Sequence, residues 1–175
     1  MTIEISLPKH FDQFVIREWT AEDALQLADI EFDPEVKQYL KLPTISKEEF
    51  INHFRPRGWA IAANPGHIVA GMIDMSRFEL NPKKRELRIL LTKEYRARGF
   101  ASGAVRFFIS RIFGAPWTEG VVAVVHPKNI ESIVLFNKLG FIHTGEITTE
   151  RQVYELSRSQ FLNQHGRNSG DTILN

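Results

Sequence analysis

The chain contains no cysteine. That excludes a disulfide scaffold, a thiolate zinc site, a cysteine nucleophile and a Cys-ligated iron–sulfur cluster. Charge of one sign is also lacking: 22 Lys and Arg stand against 21 Asp and Glu, a formal net charge of +1. A polyanion binder that draws its affinity from surplus positive charge is not expected, so nucleic acid is set aside as a partner. No stretch approaches the roughly 18 apolar residues of a membrane span, and no membrane partner is expected. The first residues show no cationic segment leading into an apolar run, so the expectation is a cytoplasmic protein without a signal peptide. The six histidines include no pair at i, i+3 or i+4, which speaks against a metal site. What is present is a chain of 175 residues, 43% hydrophobic, enough for one domain with a real core.

The hydrophobic period changes along the chain. Residues 14–19 read as a strand. Thr20-Ala-Glu-Asp is a cap with early acids, Asp33-Pro34-Glu35 places proline at a first helical position, and Ser46-Lys-Glu-Glu is a capping box, so short helices fill much of the first third. Residues 58–63 and 67–75 flank Asn64-Pro65-Gly66 and read as a hairpin. Asn81-Pro82 marks a turn before a strand over 85–92. Ala101, Ala104, Val105, Phe108, Ile109 and Ile112 share one helical face. Residues 120–125 are a continuous, largely β-branched run, as in a strand buried on both faces. Asn129 caps a further helix that Gly140 ends. Strands open at Phe141 and over 151–156, and a polar tail is expected over 163–175. Residues 85–125 are thus a βαβ unit, with ligand expected at the carboxyl ends of its strands and the N-terminus of its helix.

The turn in that unit runs Tyr95-Arg96-Ala97-Arg98-Gly99-Phe100-Ala101. Gly99 can take a positive φ at little cost. Small residues at Ala101, Ser102, Gly103 and Ala104 are expected to let a ligand approach the first helical turn. Unpaired N–H groups and the helix dipole there make an anion site, with Arg96 and Arg98 beside it; a phosphate or diphosphate is the natural guest. The competing reading is a solvated loop carrying two arginines. Neither G-x-x-x-x-G-K-S/T nor G-x-G-x-x-G occurs, so a P-loop enzyme and a dinucleotide oxidoreductase are not expected.

Two motifs resemble a known family. Arg96-Ala97-Arg98-Gly99-Phe100-Ala101 fits R/Q-x-x-G-x-G/A between a strand and a helix. Residues 129–141 fit N-x-x-S-x-x-L/V-x-x-K-x-G-F. Both are hallmarks of the GNAT N-acetyltransferase superfamily, and residues 14–40 are similar to the opening of its ribosomal-protein N-terminal acetyltransferase branch. The resemblance covers roughly 14–156. It implies an α/β (α+β) fold with a mixed, mostly antiparallel sheet, a splayed parallel strand pair and helices on both faces. It implies one acetyltransferase-like domain over 1–162, with acetyl-coenzyme A as the donor. The diphosphate would rest on N–H groups of Arg96, Ala97, Arg98, Gly99, Phe100 and Ala101. The pantetheine arm would pair with Leu90, Leu91 and Thr92, and Asn129 and Phe136 would line the cofactor near the later helix.

The resemblance also implies direct transfer of acetyl to an amine. Phe136 stands where many relatives carry a tyrosine acid, and phenylalanine donates no proton. Ser132 holds the place of a serine thought to meet the sulfur; the competing reading is that it only satisfies backbone groups in the first helical turn. Glu86 matches an acidic position common in the branch and is the first choice of base, against a reading as a solvated strand carboxylate. His126, which ends the buried strand at its carboxyl edge, is the second choice, against a structural role. Tyr154 is a further candidate. The acceptor is a primary amine, either a peptide N-terminus or a small molecule. A non-catalytic acyl-coenzyme A-binding module and a cofactor-free interaction domain are the rivals. The oligomeric state is open, a homodimer included.

Overall fold

The computed structural model describes residues 3–39, 45–53, 58–65 and 68–166. In chain order the elements are β1 (Lys9–His10), β2 (Phe14–Arg17), a 3-10 turn (Ala21–Asp23), α1 (Ala24–Glu31), α2 (Pro34–Lys37), α3 (Lys47–Asn52), β3 (Trp59–Ala63), β4 (Ile68–Phe78) and β5 (Asn81–Leu91). A second 3-10 turn (Lys93–Tyr95) leads to α4 (Phe100–Gly114), β6 (Gly120–Val125), α5 (Ile130–Lys138), β7 (Ile142–Thr148), β8 (Arg151–Ser157) and α6 (Arg158–Gly166). The eight strands form one sheet in the order β1-β2-β3-β4-β5-β6-β8-β7. Its one parallel pair among the described residues is β5–β6, in register at Lys84↔Gly120, Arg85↔Val121 and Glu86↔Val122. The expected mixed, mostly antiparallel α/β fold is what the chain adopts.

The caps act where the sequence puts them. Asp33 Oδ1 accepts the N–H groups of Glu35 (2.7 Å) and Val36 (3.3 Å), and Ser46 Oγ accepts that of Glu49 (3.0 Å). Two expectations shift. The turn before β5 is made by Glu79 and Leu80, while Asn81 and Pro82 already belong to the strand, whose opening residues tolerate proline. The polar segment past residue 162 begins inside α6, which runs to Gly166; the remainder of the expected tail, 167–175, lies outside the described residues, as do Gly66 and His67 of the expected hairpin turn.

The chain divides into two compact units, Met1–Met75 with Arg88–Phe108 and Ser76–Leu87 with Ile109–Asn175. In the first, an aromatic row fixes the start of α4. Phe11 stacks on Phe14 (4.3 Å between centroids), Phe14 on Phe100 (4.8 Å), and Tyr95 lies 5.4 Å from Phe100. A Cβ on Gly103 would come within 2.9 Å of Phe14 Cζ, and Ala104 is fully buried. Gly103 is therefore small because Phe14 crowds it, and Ala104 is closed off by burial; neither leaves the room for a ligand that the sequence suggested.

In the second unit every residue of β6 pairs with β8, from Gly120↔Ser157 to Val125↔Gln152. Phe78, Val122 and Val153 form a core with Val124 and Ile147 packed on it. Arg158 staples the end of α4: Nε donates to the Thr118 carbonyl (2.7 Å), Nη1 to that of Phe113 (2.9 Å), and Nη2 to that of Ala115. No described helix is long and apolar enough to cross a membrane.

Candidate active site

The first unit holds the anion turn. Thr92 N–H donates to the Ala70 carbonyl on β4 at 2.9 Å. Backbone polar groups alternate sides along a strand, so the N–H and carbonyl of Leu91 point away from β4. Leu90 faces β4 closely: a Cβ on Gly71 would sit 2.1 Å from its carbonyl oxygen, which is why Gly71 is glycine. Past the second 3-10 turn, Ala97 has φ +57° and Gly99 φ +85°. Left-handed geometry costs an alanine roughly 1–2 kcal/mol, so Ala97 marks a strained bend of the kind that clusters at functional sites. Gly103 N–H closes the first turn of α4 on the Gly99 carbonyl at 2.9 Å, which leaves the N–H groups before it without helical partners. Ala97, Arg98 and Gly99 are exposed.

The charges around this turn are already engaged. Arg96 Nε donates to the Leu91 carbonyl at 3.2 Å, and its Nη1 lies 3.4 Å from Glu35 Oε2. Lys93 Nζ lies 3.0 Å from Glu35 Oε1. Arg98 spreads over the Tyr95 ring, 5.5 Å from its centroid. Residues 90–92 and 96–101 belong to this unit on either side of the second 3-10 turn; the Arg96 N–H, expected in the cradle, already donates to the Lys93 carbonyl at 3.3 Å.

The remaining candidates belong to the second unit. Glu86 is half-buried on β5 opposite Val122. His126 follows β6, and its Nδ1 accepts the Lys128 N–H at 3.1 Å. Asn129 Oδ1 accepts the Ser132 N–H at 3.1 Å and caps α5; no hydrogen bond of the Ser132 hydroxyl is found among the described residues. Phe136 is 3% exposed and packs edge-on against Phe141 at 5.0 Å. Tyr154 is buried, and its hydroxyl lies 3.3 Å from Gln152 Oε1. Among the described residues no three His, Asp or Glu cluster as a metal site would require.

Two acids in the first unit escape sequence reasoning. Asp23, one of the early acids of the Thr20 cap, and Glu31, at the end of α1, are both buried. Asp23 takes both ends of the Arg17 guanidinium (2.7 and 2.9 Å) and the Thr20 N–H (2.8 Å). Glu31 shares Arg88 with Asp74: Nη2 lies 3.3 Å from Glu31 and 3.9 Å from Asp74. Burial pushes the Glu31 carboxyl above its usual range; Arg88 pulls it back and Asp74 pushes further. The available signal was positional. Glu31 follows Leu27, Ala28 and Ile30 on the apolar side of α1.

A sequence model of the acetyltransferase (GNAT) domain matches residues 13–142. Comparison with curated proteins gives no match. Among solved structures, a GNAT-family acetyltransferase from Bacillus anthracis superposes with a TM-score of 0.71 at 17% identity, over 85% of this chain and 96% of that one. A chimeric spermidine N-acetyltransferase from Vibrio cholerae and hSSAT gives 0.65 at 15%, over 87% and 99%. Ribosomal-protein-S5-alanine acetyltransferase from Vibrio fischeri gives 0.64 at 18%, over 87% and 97%. At these identities the likeness is one of fold alone.

Proposed function

Because the chain belongs to the GNAT acetyltransferase family by a match over residues 13–142, we propose that it passes acetyl from acetyl-coenzyme A directly to a primary amine, with a peptide N-terminus as the leading acceptor and a small amine as the second. The observation that carries this reading is the bend Ala97–Gly99, left-handed at both ends, ahead of the free N–H groups of α4. It offers the donor's diphosphate a backbone cradle. The match also supports reading residues 1–162 as one acetyltransferase domain.

Leu91 is the oxyanion donor in this reading. Its N–H is directed away from β4, whereas Leu90 is turned toward that strand. The amine lone pair forms the new C–N bond and the carbonyl pair moves onto oxygen. Collapse then breaks the C–S bond and releases the thiolate. Phe136 gives it no proton; the Ser132 hydroxyl donates a hydrogen bond to the departing sulfur, and solvent supplies the proton. The proton lost by the amine goes to Glu86, directly or through water. Glu86 leads over His126 because the Lys128 N–H takes up the His126 Nδ1 lone pair; a neutral ring then carries its proton on Nε2 and has no lone pair left for the amine.

A peptide α-amine suits this equipment. It titrates near 8, against about 10.4 for lysine, so roughly one in ten is neutral at pH 7. A weak base is then sufficient. Thiol release from acetyl-coenzyme A, measured across a panel of N-terminal peptides and small amines, tests the reading. Acceptor-dependent release is expected. Binding of acetyl-coenzyme A with no release for any acceptor would leave a non-catalytic acyl-coenzyme A-binding module instead.

A further inference from the structure

Glu35 holds two of the three cations at the turn. Its Oε1 lies 3.0 Å from Lys93 Nζ and its Oε2 3.4 Å from Arg96 Nη1. The carboxylate is not there by chance of rotamer alone. Asp33 fixes the backbone of α2 through the Glu35 and Val36 N–H groups, and Val36 is buried at 7% exposure. Arg96 is held from the other side by the Leu91 carbonyl, the group that faces away from β4. Both ion pairs are exposed on at least one side, so they add little to stability. Their local charge matters more. An anion settling on the N–H groups of residues 97–101 meets Lys93 and Arg96 with their charge offset by one carboxylate, and only Arg98 without an ion pair among the described residues.

We infer that Glu35 is a brake on donor binding, which rests on the reading of this turn as the diphosphate site. In the free protein it competes with the donor's phosphates for Lys93 and Arg96, and it keeps Arg96 on the Leu91 carbonyl. Glu35 thereby sets the donor affinity without touching the reacting atoms, and it is a positioning residue acting through the two cations.

The test is calorimetric binding of coenzyme A to the wild type, Glu35→Gln, Lys93→Gln and the double variant, at low and at physiological salt. Glu35→Gln is expected to bind about fivefold more tightly at low salt, with a steeper fall in affinity as salt rises. In the Lys93→Gln background the gain is expected to shrink, because one of the two cations it would release is gone. Wild-type binding with equal or weaker affinity in Glu35→Gln overturns the brake and leaves the diphosphate site standing. No binding by the wild type at millimolar coenzyme A overturns both. Equal melting temperatures of the wild type and Glu35→Gln are required alongside the gain; a variant that binds more tightly only because it is more stable also overturns the brake.

Discussion

The side-chain Oδ1 of Asn129 accepts the backbone N–H of Ser132 at 3.1 Å, so the asparagine makes the cap of α5 and the serine hydroxyl takes no part in it. The two residues should therefore separate on substitution. Asn129→Ala is expected to cost about 1 kcal/mol of stability through the lost cap. Ser132→Ala should leave stability nearly unchanged, lower kcat by about 10²-fold if its hydroxyl meets the sulfur, and hardly alter donor affinity. Denaturant melts beside single-turnover rates would show this. An unaltered kcat assigns Ser132 to the helix alone.

Ala97 and Gly99 share the left-handed region but not the residue type that suits it. No atom lies within 4 Å of a Cβ built on Gly99, so Gly99→Ala suffers only from its backbone angle, roughly 1–2 kcal/mol. Ala97→Gly should stabilise by up to about 1 kcal/mol for the converse reason. Gly99→Glu adds a negative charge where phosphate is proposed to sit and should weaken coenzyme A binding. With open space around Gly99, the cause is charge and strain rather than crowding. Calorimetry that found full affinity in Gly99→Glu would remove the anion site.

The parts of this fold that the sequence made legible are those set by near neighbours. The β-branched run at 120–125, the stripe from Ala101 to Ile112, and the caps at Asp33, Ser46 and Asn129 each depend on residues within a turn or two, and each element is found where expected. The misplacements have a tertiary origin. Gly103 looked like room for a ligand because nothing local announces Phe14, 89 positions earlier, as its neighbour. Glu35 and Arg96 are 61 residues apart, and only folding makes them partners. Helix α6 is polar along most of its length and carries no apolar stripe to announce it; Phe161 stacking on Phe113 at 4.6 Å holds it instead.

Thr118 offers a stability test away from the site. It is 1% exposed, and its buried hydroxyl has no hydrogen-bond partner among the described residues. Valine replaces that hydroxyl with a methyl of nearly the same shape. Thr118→Val should therefore stabilise by about 1 kcal/mol, since an unsatisfied buried polar atom is removed at no cost in packing. For a chain of this size that is a rise of about 2–4 °C in Tm. A fall in Tm would mean that the hydroxyl has a partner, such as a bound water.

Asp23 and Glu31 should give the pH profile of stability two limbs of opposite sign. Burial pushes the Asp23 carboxyl upward, but the Arg17 guanidinium and the Thr20 N–H and hydroxyl outweigh it and hold it below its usual range. The unfolded chain then binds this proton more readily, so the stability Asp23 contributes is complete above about pH 4 and is lost as pH falls through its lower folded value. Glu31 behaves conversely. Its folded carboxyl titrates above the usual range, so the folded state holds its proton longer. Stability therefore declines as pH rises from about 4.3 toward that folded value. Urea unfolding between pH 3 and 8 should show both limbs. Asp23→Asn should cost about 3 kcal/mol near neutrality, by leaving the Arg17 guanidinium without its carboxylate, and should flatten the acid limb. Glu31→Gln should flatten the upper one. If Glu31→Gln keeps the wild-type decline above pH 5, the buried carboxylate is ionised throughout and Arg88 alone is sufficient to hold it.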